Sequence, residues 1–107
     1  MKLITAVVAP HALDDVRHAL ERHAVLGMTI TEVSEPGRGA VAVHRGRVVS
    51  GDLVPVLRIE TVVHDEVCDR VVEQLLADLA GGGGRLTVSA VDLVVRVRTG
   101  ELGADAV

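Results

Sequence analysis

Apolar residues follow two different periods along this chain, and each period predicts a different element. Runs rich in Val, Ile and Leu that are bounded by glycine, proline or acidic residues are typical of strands. Such runs occupy residues 2–9, 28–33, 53–63, 85–90 and, more briefly, 93–99. Apolar stripes with helical spacing begin at Leu13 and again at Asp65 or Asp69, and they predict two helices.

The two halves of the chain repeat each other at an offset of 55 residues. Residues 4–8 ("ITAVV") align with residues 59–63 ("IETVV"), and the first helical stripe aligns with the second, so that Leu13 falls over Cys68. A βαβ unit used twice predicts an α+β fold, the ferredoxin-like βαββαβ sandwich. We expect both helices on one face of an antiparallel sheet, with a short C-terminal strand at residues 93–99.

The second face of the predicted sheet also needs a cover. The strands at residues 2–9 and 53–63 are apolar at nearly every position, whereas a strand buried on one face should alternate. Hydrophobic residues make up 49% of the chain, although it has no Phe, Trp or Tyr. Since no further helix is available, we expect a neighbouring copy of the chain to cover this face.

Charge and composition exclude several classes of function. The 107 residues suit one domain, and the net charge of −4 argues against nucleic-acid binding, which needs a basic surface. Cys68 is the only cysteine, so no internal disulfide can form. No apolar run approaches the roughly 18 residues of a membrane helix. The N-terminal segment looks like a strand rather than a signal peptide, and we expect a cytoplasmic protein with no direct membrane insertion.

Residues 34–52 break the pattern of helices and strands. Loops longer than about 12–15 residues in compact domains are usually functional or disordered. The basic residues of this loop are Arg38, His44, Arg45 and Arg47. One interpretation is an arm that docks on a partner, and the other is a plain β-ribbon extension. We favour the arm.

A glycine run and three arginines lie near the C-terminus. Backbone amides bared by glycines 81–84 could cradle phosphate oxygens, and Arg85 adds a positive charge at the exit of the loop. In a strand Arg96 and Arg98 would share a face about 7 Å apart, suited to gripping an anion. The alternative is a slack linker and a solvated face whose arginines pair with Glu101 or Asp105.

Metal-binding and catalytic patterns are weak. His64 and Cys68 are four residues apart, but Cys68 lies on the apolar stripe and is expected to be a small core residue. We identify no nucleophile, base and orienting group that could act together, so no metal site and no catalytic residue is predicted.

Several of these segments together resemble the PII signal-transduction family, nearly end to end. "LDDVRHAL" resembles the family's first helix, "GMTITEV" its second strand, and "RVRTGELGADAV" its C-terminal signature and tail. The spacing is also similar, with a glycine loop, a basic residue and an R-x-R motif eleven residues on.

The resemblance implies a homotrimer with an adenine nucleotide (ATP, ADP or AMP) in each cleft between subunits. The family's T-loop would be residues 34–52, its B-loop 81–85, and its C-loop the segment around 96–101 at the start of the C-terminal segment 96–107. Arg85 matches a phosphate-binding lysine of the B-loop, and Arg96 and Arg98 match phosphate-binding arginines of the adjacent subunit. The resemblance also implies residues around the adenine and ribose, namely Val7, Gly27, Met28, Thr29 and Val62. Arg38 at the base of the T-loop could reach the phosphates. In the B-loop the implied residues are Gly82, Gly83 and Gly84.

Departures from the family pattern limit what can be carried over. Val49 stands where nitrogen-regulatory members have the tyrosine that is modified. Gly39 stands where they have the glutamine that helps hold magnesium and 2-oxoglutarate. Val56 stands where the family has the lysine that pairs with the 2-oxoglutarate carboxylate. Glu35 replaces the glycine that precedes the T-loop base in the family, and its negative charge could oppose a triphosphate or a dicarboxylate. We therefore expect no tyrosine modification, no 2-oxoglutarate sensing and no requirement for magnesium.

Three functions follow in order of preference. The first is a trimeric nucleotide sensor that signals energy state through residues 34–52, serving a transporter or metabolic protein of inorganic carbon (bicarbonate transport or carboxysome). The second is a nitrogen regulator that controls an ammonium transporter or an assimilation enzyme. The third is a small ferredoxin-like enzyme or metal-binding protein, for which no cluster of residues is evident.

Overall fold

The structure, a computed structural model, describes residues 1–37, 41–44, 47–50 and 53–107. Eight helices and strands make up this part of the chain. In chain order they are β1 (Lys2–Val8), α1 (Leu13–Glu21), β2 (Thr29–Pro36), β3 (Val41–His44), β4 (Arg47–Ser50), β5 (Leu53–Val63), α2 (Asp65–Asp78) and β6 (Arg85–Ala90). Short 3-10 turns lie at Pro10–Ala12 and Gly103–Ala106. Asp14 and Asp15, and likewise Asp65 and Glu66, stabilise the helix starts because acidic groups complement the helix dipole there.

The main sheet has the strand order β2-β5-β1-β6, and every neighbouring pair is antiparallel. Ile4 lies opposite Thr61 on β5 and Val88 on β6, which fixes the register of the centre. With two helices on one face, this is the ferredoxin-like α+β arrangement. The predicted fold is confirmed.

The core lies between the helices and one face of the sheet. The largest fully buried side chains come from both layers, namely Ile4, Ile59 and Val63 from the sheet and Val16, Val71 and Leu75 from the helices. Because aromatic residues are absent, aliphatic side chains fill the whole space.

The other side of the sheet, which we call the open face, carries the alternate residues of the same strands. On it Leu3 lies opposite Val62, and Thr5 lies opposite Glu60 and Thr87. Leu3 and Val62 are half-buried. Both described helices pack on the opposite side, so a neighbouring subunit as the cover of this face stays a prediction.

The predicted strand at residues 93–99 is wrong in its extent. Val95 forms an isolated β-bridge with Leu102, and the chain turns back between them. The turn is closed by Arg96, whose amide donates to the Glu101 carbonyl at 2.9 Å and whose carbonyl accepts from the Gly100 amide at 2.7 Å. Gly100 has a φ of 74°, which residues other than glycine rarely adopt. The segment therefore pairs with itself and cannot extend the sheet.

The long loop begins as a continuation of the sheet. β2 pairs with β5 as far as Pro36, which lies opposite Leu53, and β3 pairs antiparallel with β4. The ribbon considered as the alternative is thus present in the described part of the loop. Arg38, Gly39 and Arg45 lie outside the described residues. Docking of this segment on a partner is a proposal.

Neither described helix is long and apolar enough to cross a membrane. Cys68 is confirmed as a core residue, since it is only 5% exposed and packs within the apolar cluster. Burial raises the pKa of the Cys68 thiol, and the neighbouring charge of Asp69 adds to this.

Cys68 should therefore react slowly with thiol reagents. At pH 8 we expect labelling of the folded protein to be about 100-fold slower than labelling of the urea-unfolded protein, because burial blocks access and disfavours the thiolate. Mass spectrometry of timed samples measures both rates. Equal rates in the two states would contradict the burial of this thiol.

Candidate functional site

Two clefts open on the open face of the sheet, near opposite ends of β1. The first, which we call the turn cleft, has a volume of about 350 Å³ and is lined by Leu3, residues 27–29 and residues 60–62. The second, the glycine-loop cleft, has about 500 Å³, and its lining includes Val7, Glu35 and residues 81–84. Leu3 and Val7 are four residues apart on β1, so about 13 Å of strand separates these two lining residues.

The glycine loop is pressed against β1 at Gly84. This residue has a φ of 125°, and a Cβ atom placed on it would lie 2.4 Å from the carbonyl oxygen of Val7. Gly81 also has a positive φ, of 86°, just beyond the end of α2. A Cβ on Gly83, in contrast, would meet no atom within 4 Å. Two of the four glycines are therefore required by backbone geometry, and Gly84 also by lack of space.

A buried threonine holds the turn cleft in shape. Thr61 is 6% exposed, and its hydroxyl donates a hydrogen bond of 2.5 Å to the carbonyl of Gly27. The bond ties the turn before β2 to the centre of the sheet. Sequence reasoning missed Thr61, whose only signal was a polar residue in an apolar strand.

An ion pair crosses the glycine-loop cleft. Nη2 of Arg85 lies 2.9 Å from Oε1 of Glu35, and these two side chains are 60% and 34% exposed. Arg85 starts β6 and lies opposite Val7, whereas Glu35 is near the end of β2. The sequence identified both charges but did not predict that they contact each other.

The predicted nucleotide-binding residues fall into separate groups within one chain. Gly27, Met28, Thr29 and Val62 come together at the turn cleft. Val7, grouped with them by the resemblance, lies instead at the glycine-loop cleft, with Gly82, Gly83 and Gly84.

Neither C-terminal arginine, Arg96 or Arg98, lines the glycine-loop cleft of its own chain. Arg96 lines a third cleft, of about 490 Å³, together with Gly27 and Val62, and its Nη2 donates to the Ala106 carbonyl at 3.4 Å. Arg98 is exposed in the turn that follows. Arg38 lies outside the described part of the chain.

Comparison with known proteins decides the family. The family model described as "Nitrogen regulatory protein P-II" matches residues 1–101. The chain belongs to the PII family. It is 45% identical to nitrogen regulatory protein P-II 2 of Methanothermobacter thermautotrophicus, over 100% of this chain and 97% of that protein. It is 38% identical to nitrogen regulatory protein P-II of Rhizobium etli, over 99% of each, and 38% identical to that of Azospirillum brasilense, over 100% of each.

Membership of the PII family confirms the resemblance and gives the general class of function. PII proteins are signal-transduction regulators rather than enzymes, and they act on partner proteins. Among the residues described, no three His, Cys, Asp or Glu side chains meet in a group that could hold a metal ion.

The close approach of Gly84 to β1 predicts different outcomes for two neighbouring glycines. Gly84→Ala should lower the free energy of unfolding by about 2–4 kcal/mol, because the new Cβ meets the Val7 carbonyl and the backbone is strained. Gly83→Ala, the matched control, should change it by less than about 1 kcal/mol. Urea unfolding followed by circular dichroism suits this chain, which has no aromatic fluorophore. Equal stability of the two variants would contradict the packing of the loop on β1.

Proposed function

We propose that this protein is a homotrimeric PII sensor that binds an adenine nucleotide and signals the energy state of the cytoplasm to a partner protein through residues 34–52. The observation that carries the proposal is the alignment of two clefts along β1 on one open face. The turn cleft would take adenine and ribose, and the glycine-loop cleft would take the phosphates. Glycine amides and Arg85 at the second cleft suit phosphate oxygens.

The placement of the C-terminal arginines supports a site shared between subunits. Arg85 is the basic residue beside the glycine loop, whereas Arg96 of the same chain lines the third cleft and Arg98 follows it in an exposed turn. A neighbouring subunit would bring its own pair to the phosphates. Leu93, shortly before these arginines, and Val97, between them, are 61% and 95% exposed, which suits a segment that becomes buried at a subunit interface.

The lining of the glycine-loop cleft argues against 2-oxoglutarate as a second ligand. Val56, which replaces the lysine of the family pattern, lines this cleft beside Val54. Glu35 adds a negative charge to the same cleft. A dicarboxylate bound there would lose its countercharge and meet a like charge, so the proposed sensor responds to nucleotide alone.

The identity of the partner divides into two candidates. The relatives are named nitrogen regulatory proteins, and this favours an ammonium transporter or a nitrogen-assimilation enzyme. The loss of the modified tyrosine and of the 2-oxoglutarate residues, on the other hand, favours a partner in inorganic-carbon metabolism. Both candidates use residues 34–52 as the contacting segment.

Removing one C-terminal arginine tests the shared site. Arg98→Ala should weaken the binding of ATP or ADP by about 1–3 kcal/mol, or roughly 5–150-fold in Kd, because a charged hydrogen bond to phosphate is lost. Isothermal titration calorimetry measures this. Arg70→Ala, which removes an exposed arginine on α2 that donates to the Glu66 carbonyl, is the control and should bind normally.

Light scattering on the same samples should give about 34 kDa, three times the 11.2 kDa of one chain, for both variants. An unchanged Kd for Arg98→Ala would remove this residue from the site. A mass of one chain for the unmodified protein would overturn the composite cleft itself.

Because Val56 offers no positive charge, we predict that 2-oxoglutarate has little effect on ATP binding, and calorimetry can test this. Saturating 2-oxoglutarate, added with magnesium, should change the Kd for ATP by less than about 3-fold, since the dicarboxylate finds Val56 in place of a lysine and Arg85 is already paired with Glu35. Synergy of 10-fold or more would show that Val56 does not abolish the second ligand.

A further inference from the structure

The contact between Glu35 and Arg85 has a consequence for the choice of ligand. We propose that Glu35 is a specificity-determining residue, an internal carboxylate that competes with phosphate for Arg85 and disfavours the most highly charged nucleotides. The inference rests on the proposed function, because it concerns the phosphate end of the same site.

The geometry makes Glu35 a direct competitor rather than a distant charge. β5 and β1 lie between the strands that carry the two residues, so the ion pair spans the sheet on the open face at the end of β1. The Val7 side chain is on that face and is nevertheless only 7% exposed, which is consistent with the ion pair lying over it. The 2.9 Å contact places a carboxylate oxygen at the guanidinium, where a phosphate oxygen would otherwise bind.

The loss of affinity caused by Glu35 should increase with the number of phosphate charges on the nucleotide. Arginine binds carboxylate and phosphate with the same planar fork, so a phosphate that takes both prongs of Arg85, Nη2 included, must displace Glu35. The displaced carboxylate stays in a cleft that it lines together with the glycine loop, where it repels each added phosphate charge. ATP therefore loses more affinity to Glu35 than AMP does.

Glu35 also connects the site to the base of the long arm. It lies opposite Val54 in the last described pairs of β2 with β5, and Pro36 and Gly37 follow it in the same cleft. Releasing Glu35 from Arg85 changes the contacts of the segment from which residues 34–52 extend. Phosphate occupancy and the base of the arm are thereby linked through one side chain.

The test compares Glu35→Gln with the unmodified trimer. Glutamine keeps the shape and removes the charge, so the affinity for ATP should rise about 10-fold, while that for AMP should rise less than about 3-fold. Calorimetry with ATP, ADP, AMP and inorganic tripolyphosphate measures the series. Glu32→Gln is the matched control, since Glu32 is on the same strand but on the opposite face, and it should change nothing.

A double-mutant cycle separates competition from simple repulsion. In an Arg85→Gln background the gain from Glu35→Gln should fall to about 3-fold or less, because there is no longer a guanidinium to compete for. An equal gain in both backgrounds would reduce Glu35 to a background charge and overturn the competition.

The outcomes distinguish this inference from the proposed function. If all variants bind adenine nucleotides equally, the sensor stands and the role of Glu35 is overturned. If Glu35→Gln binds tripolyphosphate more tightly but neither protein binds a nucleotide, the competition stands and the adenine-nucleotide function fails. If neither protein binds any of the four probes, both are overturned.

Discussion

The lack of space between Gly84 and the carbonyl of Val7 is the constraint on which the candidate site depends. No side chain fits there, and the φ of Gly84 is one that other residues rarely adopt. This contact seats the loop after α2 directly on β1, and the next residue, Arg85, then starts β6 opposite Val7. The glycine loop is thus not a slack linker, because one close backbone contact fixes where the loop ends and where its charge begins.

The charges around the glycine loop follow from that placement. An arginine at the start of an edge strand would normally extend into solvent, but the twisted sheet brings Glu35 of the other edge strand within 2.9 Å. A surface ion pair with one partner 60% exposed contributes little to stability. In the proposed site its significance is for binding, because the Glu35 carboxylate occupies the guanidinium group that a phosphate of the ligand would need.

The sequence predicted the sheet, the helices and their layer, because apolar periodicity and the 55-residue repeat are direct consequences of burial. It failed where the chain contacts itself over a short range or across the sheet. The turn around Gly100 removed the shared strand face of Arg96 and Arg98. Thr61 and the pairing of Glu35 with Arg85 depend on register and twist, which periodicity does not report. The family resemblance supplied the grouping of site residues that no local pattern contains.

In the proposed trimer one face of the sheet serves both assembly and ligand binding, and this links the two equilibria. The half-buried Leu3 and Val62 are on the same open face as the two clefts, and Val62 itself lines the turn cleft. In the proposed trimer the neighbour that covers this face also delivers Arg96 and Arg98 to the phosphates. A ligand that contacts two subunits binds only the assembled form and therefore stabilises it by mass action. Because Glu35 neutralises Arg85 at short range, a bound phosphate would depend all the more on the arginines of the neighbouring subunit, which strengthens that linkage.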